Sequence, residues 1–163
     1  MGSELEDAFH EVGSHLDYPM FIVTTASQGR RAGCLVGFTT QCTINPPRFV
    51  AFISDKNYTH RVALEASHLA VHVVPEDRQD LASLFGEITG DDVDKFERCT
   101  WEPGPEGVPL LPECPDRFVG RIADRFDSGD HTGFFLEPIS VEAGGGGFFS
   151  FQRAMELEPG HEA

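Results

Sequence analysis

Eight consecutive residues, Ser54-Asp55-Lys56-Asn57-Tyr58-Thr59-His60-Arg61, gather hydroxyls, an amide and three potential cations in one short stretch. Such a set suits an anion, because hydroxyls and amides donate to its oxygens while the cations offset its charge. The same residues would also serve as a solvated turn that caps a helix. The rest of the chain gives the anion reading its interest: 12 Lys and Arg stand against 27 Asp and Glu, a formal net charge of −15. An anion must here be held by local donors against an unfavourable overall field.

Other residues offer chemistry more weakly. His68 and His72 lie four apart, a spacing that on a helix would face a metal together. Their surroundings read as a strand, and no third ligand stands at a fitting offset, so no metal is expected. Gly129-Asp130-His131 reads as a turn whose imidazole could hydrogen-bond to backbone, orient a ligand or handle a proton near neutral pH. The four cysteines (Cys34, Cys42, Cys99 and Cys114) form no CxxC pair, and Cys34 and Cys42 sit in apolar strands, which fits a reduced, cytoplasmic protein. No glycine-rich dinucleotide fingerprint, phosphate loop or nucleophile elbow is present.

The elements that must position these groups are short. Ser3 and Glu6 form a capping box, and Leu5, Ala8, Phe9, Val12 and Leu16 recur at helical spacing over about residues 3–17. That helix is expected to cover the sheet or a partner subunit. Strands are predicted at Met20–Ala26, from Arg30 into the apolar run up to Phe38, at Thr39–Ile44 and Arg48–Ile53, at Leu69–Val74, at Arg117–Phe126 and at Thr132–Val141. Ser27-Gln28-Gly29 and Asp127–His131 are turns, and Asn45-Pro46-Pro47 interrupts pairing. Asn57 or Thr59 is expected to cap a helix through about Ala66. A helix over Gln79–Phe85 is predicted to stop at Gly86, and another short one to span Asp91–Glu97. Trp101–Pro115 reads as a long connection, and residues from about 156 to 163 as a mobile acidic tail. Many short strands with helices between them predict one mainly β domain, a small closed barrel with peripheral helices, over residues 1–163.

The charge argues against nucleic acid and against anionic membrane surfaces. No apolar run approaches the ~20 residues of a membrane-spanning helix, and no signal peptide is visible.

Taken in order, Gly33, the Thr39–Thr43 strand running into Asn45-Pro46-Pro47, the Ser54–Thr59 turn, Leu69–Val74, Phe85-Gly86 and Gly129-Asp130-His131 resemble the flavin reductase-like, FMN-binding split β-barrel family. The resemblance covers Tyr18 to about Arg153. It implies a split β-barrel homodimer with flavin at the interface, FMN as cofactor with FAD as the alternative, NAD(P)H as co-substrate and a monooxygenase component as partner. It places the flavin phosphate on Ser54, Lys56, Asn57, Thr59 and Arg61. It runs the chain from Ala32, Gly33, Cys34, Leu35, Gly37 and Phe38 to Thr40, Gln41 and Thr43 along the ring and ribityl chain, with His72, Phe85 and Gly86 nearby. His131 is implied at the face where nicotinamide arrives, with Phe151 and Arg153 closing over it. The chain departs from the family where Leu35, Val36, Gly37 and Phe38 replace commoner small polar residues, so backbone groups must supply more hydrogen bonds there. It departs again at Gln152, where a tyrosine is usual, which favours an alternative: a flavin-, deazaflavin- or haem-binding barrel without NAD(P)H turnover.

Overall fold

The computed structural model describes residues 2–158. The chain runs α1 (Glu4–Ser14), β1 (Phe21–Ser27), β2 (Arg30–Val36), β3 (Thr39–Thr43), β4 (Arg48–Ser54), α2 (Tyr58–Ala63), β5 (His68–Val73), α3 (Gln79–Glu87), β6 (Glu102–Pro103), β7 (Pro109–Leu110), β8 (Asp116–Asp127), β9 (His131–Ala143) and α4 (Phe151–Ala154). Seven strands make one sheet in the order β2-β1-β5-β8-β9-β4-β3, and every neighbouring pair is antiparallel. β6 and β7 form a separate small hairpin inside the long connection.

The two edges of this sheet, β2 and β3, are consecutive in the chain and separated only by Gly37 and Phe38. So short a link holds Val36 and Thr39 within about 11 Å, and the sheet curls until its edges approach. No ladder joins β2 to β3 among the described residues, so the barrel expected from the sequence is left open along this seam. At the seam Phe38 O accepts a hydrogen bond from Phe52 N–H at 2.9 Å instead.

Local chemistry explains most turns. Gln28 (φ 52°) and Gly29 (φ 77°) both take positive φ, as a two-residue hairpin of primed type requires, and Ser27 pairs with Arg30. Alternation along β1 sends Val23 to a core with Val71, Phe134 and Leu136, and Ile22 to a second core with Leu81, Phe85 and Phe149.

Three expectations change. Gly86 does not end α3, which continues to Glu87. A Cβ at Gly86 would stand 2.9 Å from Leu35 Cδ2, so the glycine lets α3 lie against β2. The predicted Asp91–Glu97 helix shrinks to a single 3₁₀ turn at Lys95–Glu97, started by Asp94 accepting Phe96 N–H. α1 has its capping box but does not cover the sheet: Leu5 and Phe9 are 79% and 72% exposed, and no residue of α1 is buried, which leaves its apolar stripe to the partner subunit that was the other expectation. The expected tail lies partly outside the described residues, beyond 158.

Gly33 makes the tightest helix–strand contact testable. A Cβ there would lie 2.7 Å from Cε1 of Phe85, itself buried in the second core. Gly33→Ala is expected to destabilise the fold by about 1–3 kcal/mol through overpacking, read as a lower midpoint in urea unfolding.

Candidate functional site

The seam between β2 and β3 opens into a cleft of about 210 Å³. Its wall includes Cys34, Leu35, Gly37 and Phe38 from the β2–β3 joint, Ser54 and Asn57 from the polar turn, His131 from the start of β9, and Phe151 from α4. Sequence reasoning named all eight. It missed Tyr18, Met20, Val36, Phe52 and Ile53, which complete the wall. Tyr18 enters the sequence reading only as the start of the family resemblance.

Two aromatic pairs flank the cleft. Tyr18 stacks on Phe151 with ring centroids 4.6 Å apart and planes 13° from parallel. Phe38 meets His131 at 5.3 Å, and His131 Nδ1 lies 2.7 Å from Asp130 Oδ1. That bond holds the Asp130 carboxyl below its usual range. Gly37 makes the arrangement possible, since a Cβ there would sit 3.1 Å from both Met20 Sδ and Tyr18 Cε2.

The polar turn divides. Ser54 Oγ accepts Lys56 N–H at 3.3 Å, and Asn57 is the N-cap of α2, its Oδ1 accepting Thr59 N–H at 2.9 Å. The Lys56 side chain is exposed, with no carboxylate in ion-pair range among the described residues. Arg61 is already engaged: it pairs with Asp91 and lies over the Tyr58 ring at 5.3 Å. Thr59 is buried and hydrogen-bonds the Cys34 thiol, whose pKa burial pushes up, with Lys95 and Thr59 opposing. His60, counted among the three potential cations, turns inward: its Nε2 lies 2.7 Å from Thr132 Oγ1, and burial lowers its pKa.

Several residues named from the sequence are not brought to this cleft. Thr40, Gln41 and Thr43 lie on the free edge strand β3, largely exposed. His72 is fully buried, Phe85 packs in the second core and Gly86 carries the α3–β2 contact. Arg153 does not line this cleft: it donates to Glu76 O at 2.6 Å and lies over the Phe149 ring at 4.5 Å. Gln152 ties α4 to the end of α1, its amide donating to Ser14 O at 2.8 Å and to Leu16 O. Ala32 and Gly33 line a second cavity of about 230 Å³, where Tyr58 and Lys95 also stand. Asn57 in one wall and Tyr58 in the other place the two cavities side by side.

The curled antiparallel sheet thus carries an aromatic cleft, a hydroxyl- and amide-bearing turn at its side, and a second cavity lined by Arg30, Arg31, Asp94 and Lys95. Residues 13–155 match the family model described as the flavin reductase like domain, and the chain belongs to that family. It is 28% identical over 145 residues to the reductase component of 4-nitrophenol 4-monooxygenase/4-nitrocatechol 2-monooxygenase from Rhodococcus opacus, covering 89% of this chain and 76% of that one. A ferric-chelate reductase (NAD(P)H) from Archaeoglobus fulgidus is 26% identical over 138 residues, 83% of this chain and 79% of its own. Among solved structures, a flavin reductase domain protein from Arthrobacter sp. FB24 superposes with TM-score 0.82 at 23% identity, covering 91% of each chain. That likeness establishes the shared fold.

Proposed function

We propose that the chain is a single-domain, split-barrel flavin reductase that binds FMN and oxidises NAD(P)H, and that it supplies reduced flavin to a partner monooxygenase. The observation that carries this reading is one cleft bringing Phe38, His131 and the Tyr18–Phe151 stack together with Ser54 and Asn57. Flat aromatic walls fit an isoalloxazine ring, and the adjacent hydroxyl, amide and exposed Lys56 fit a phosphate dianion. Membership of the family and the names of its relatives, a monooxygenase reductase component among them, support the same conclusion.

The chemistry supplied by FMN when bound is acceptance of a hydride from the nicotinamide and its onward release as electrons. The protein's own part is positional. Ser54, Lys56 and Asn57 hold the phosphate. Gly37 permits close approach of the backbone, and Leu35 and Phe38 offer apolar surface and main-chain groups in place of polar side chains. His131, oriented by Asp130, stands where it can hydrogen-bond the arriving nicotinamide carboxamide.

The cleft, at about 210 Å³, is smaller than the ~300–1,000 Å³ of most ligand sites. A second copy completing it would also cover the apolar stripe of α1 and the free edge β3, and a homodimer is therefore part of the proposal. Location in the cytoplasm is proposed from the free thiols; no helix among the described residues is long and apolar enough to cross a membrane. The engagement of Gln152 and Arg153 elsewhere favours one alternative, a flavin, deazaflavin or haem carrier without NAD(P)H turnover. Fluorescence titration with FMN, together with sedimentation, tests the binding part. Saturable quenching at one FMN per chain in a dimer is expected; monomeric protein that leaves FMN fluorescence unchanged contradicts it.

A further inference from the structure

The second cavity holds an electrostatic anomaly. Lys95 is only 4% exposed, yet no carboxylate lies within ion-pair distance of it among the described residues, in a chain with 27 acidic side chains. Its ammonium donates to two backbone carbonyls, Gly33 O at 2.9 Å and Phe85 O at 3.0 Å, and lies 5.5 Å from the Phe85 ring centroid, but its third hydrogen has no oxygen acceptor among the described residues. Burial lowers its pKa. A buried cation without a counter-charge is costly and ordinarily finds a partner. The cavity beside it, about 230 Å³, is lined by two further cations, Arg30 and Arg31, and by one carboxylate, Asp94; Arg30 is already paired with Glu65 at 3.0 Å, which leaves Arg31 as the available guanidinium.

Arg31 is poorly used by the fold. Its contact to Asp94 is a loose 3.6 Å pair between half-exposed groups, worth little in solvent. Its guanidinium makes no side-chain hydrogen bond among the described residues, and lies over the Trp101 ring at 4.6 Å. Tyr58 gives the cavity an aromatic wall, and Gly90 opposite keeps that wall in place, since a Cβ there would fall 2.5 Å from Tyr58 Cδ1.

We propose that this cavity binds a phosphate beyond the one of FMN: the adenylyl phosphate of a dinucleotide, with Lys95 and Arg31 as its cations and Tyr58 beside the adenine. The inference rests on the flavin reading above, which places the FMN phosphate at Ser54–Asn57, one residue along the chain from Tyr58. Both FAD and the nicotinamide dinucleotide carry the required adenylyl phosphate.

The test is calorimetric titration of FMN-loaded protein with AMP and with adenosine. AMP is expected to bind saturably and adenosine at least about tenfold more weakly, since charge-assisted hydrogen bonds are lost. Arg31→Ala, at an exposed position that folding tolerates, is expected to weaken AMP about tenfold while leaving the FMN dissociation constant unchanged; Lys95→Met is expected to weaken it at least as much. If Arg31→Ala raises the Kd of FAD but not of FMN, the phosphate comes from the flavin; if it raises KM for NADH with FMN bound, it comes from the nicotinamide dinucleotide. Either supports the proposal. AMP binding no tighter than adenosine, with FMN binding intact, overturns it and leaves the flavin reading standing. Equal loss of FMN and AMP binding in Arg31→Ala also overturns it, because the cavity would then hold the flavin's own phosphate. Failure of the wild-type protein to bind FMN removes both.

Discussion

Replacing Ser54 and Lys56 together by alanine is expected to raise the Kd for FMN by about 10–100-fold while leaving that for riboflavin within about twofold. Each hydrogen bond to a charged partner contributes about 1.5–3 kcal/mol, and an exposed cation such as Lys56 belongs at the low end of that range. Ser54 ends β4 and its Oγ accepts the Lys56 N–H, whereas the α2 cap is Asn57 Oδ1 accepting Thr59 N–H, so removing both side chains leaves that cap in place. Riboflavin has the ring and ribityl chain but no phosphate, so equal weakening of both ligands would show that the polar turn does not hold the phosphate. Parallel titrations by flavin fluorescence decide the matter.

His72→Leu is expected to destabilise the fold by about 2–5 kcal/mol with FMN affinity unchanged. Nε2 accepts Leu111 N–H at 3.0 Å, so Nδ1 carries the proton and donates to Ile22 O at 2.9 Å. Leucine would leave a buried N–H and a buried C=O without partners, at about 1–3 kcal/mol each. The imidazole is neutral in the folded protein: burial lowers its pKa to about 4, with the bond to Ile22 O opposing and Arg117 adding to the shift. The unfolded chain protonates near pH 6.5, so the contribution is fully present above that pH. It falls away as pH drops from 6.5 towards 4, to a limit of about 3 kcal/mol. Urea unfolding at several pH values should show a loss in the wild type over that window that the leucine variant lacks.

What the sequence made readable was mostly local. The Ser27-Gln28-Gly29 turn, the Ser3 capping box, the Asn57 cap and the Asp127–His131 turn each depend on residues within a few positions of one another. The eight cleft residues named in advance sit on segments whose order the family resemblance supplied. Long-range pairing hid the rest. His72 looked like a ligand neighbour because its partners, Ile22 and Leu111, lie 50 and 39 residues away. His60 counted as a cation until Thr132, 72 residues on, took its Nε2. Gly86 resembled a helix stop, but the reason for glycine there is Leu35 on another element. Lys95 gave no signal at all, since a lysine beside Asp94 in an acidic segment reads as surface. The open seam was equally invisible, because strand patterns do not say whether β2 and β3, consecutive in the chain, pair with each other.

The role proposed for the aromatic cleft at this seam is to hold a flavin that takes hydride from a nicotinamide. Following nicotinamide absorbance on mixing the purified protein with FMN and NADH or NADPH tests it most directly. Oxidation well above the rate of free FMN alone, saturating in both substrates, is the predicted result; a rate equal to that background would contradict it.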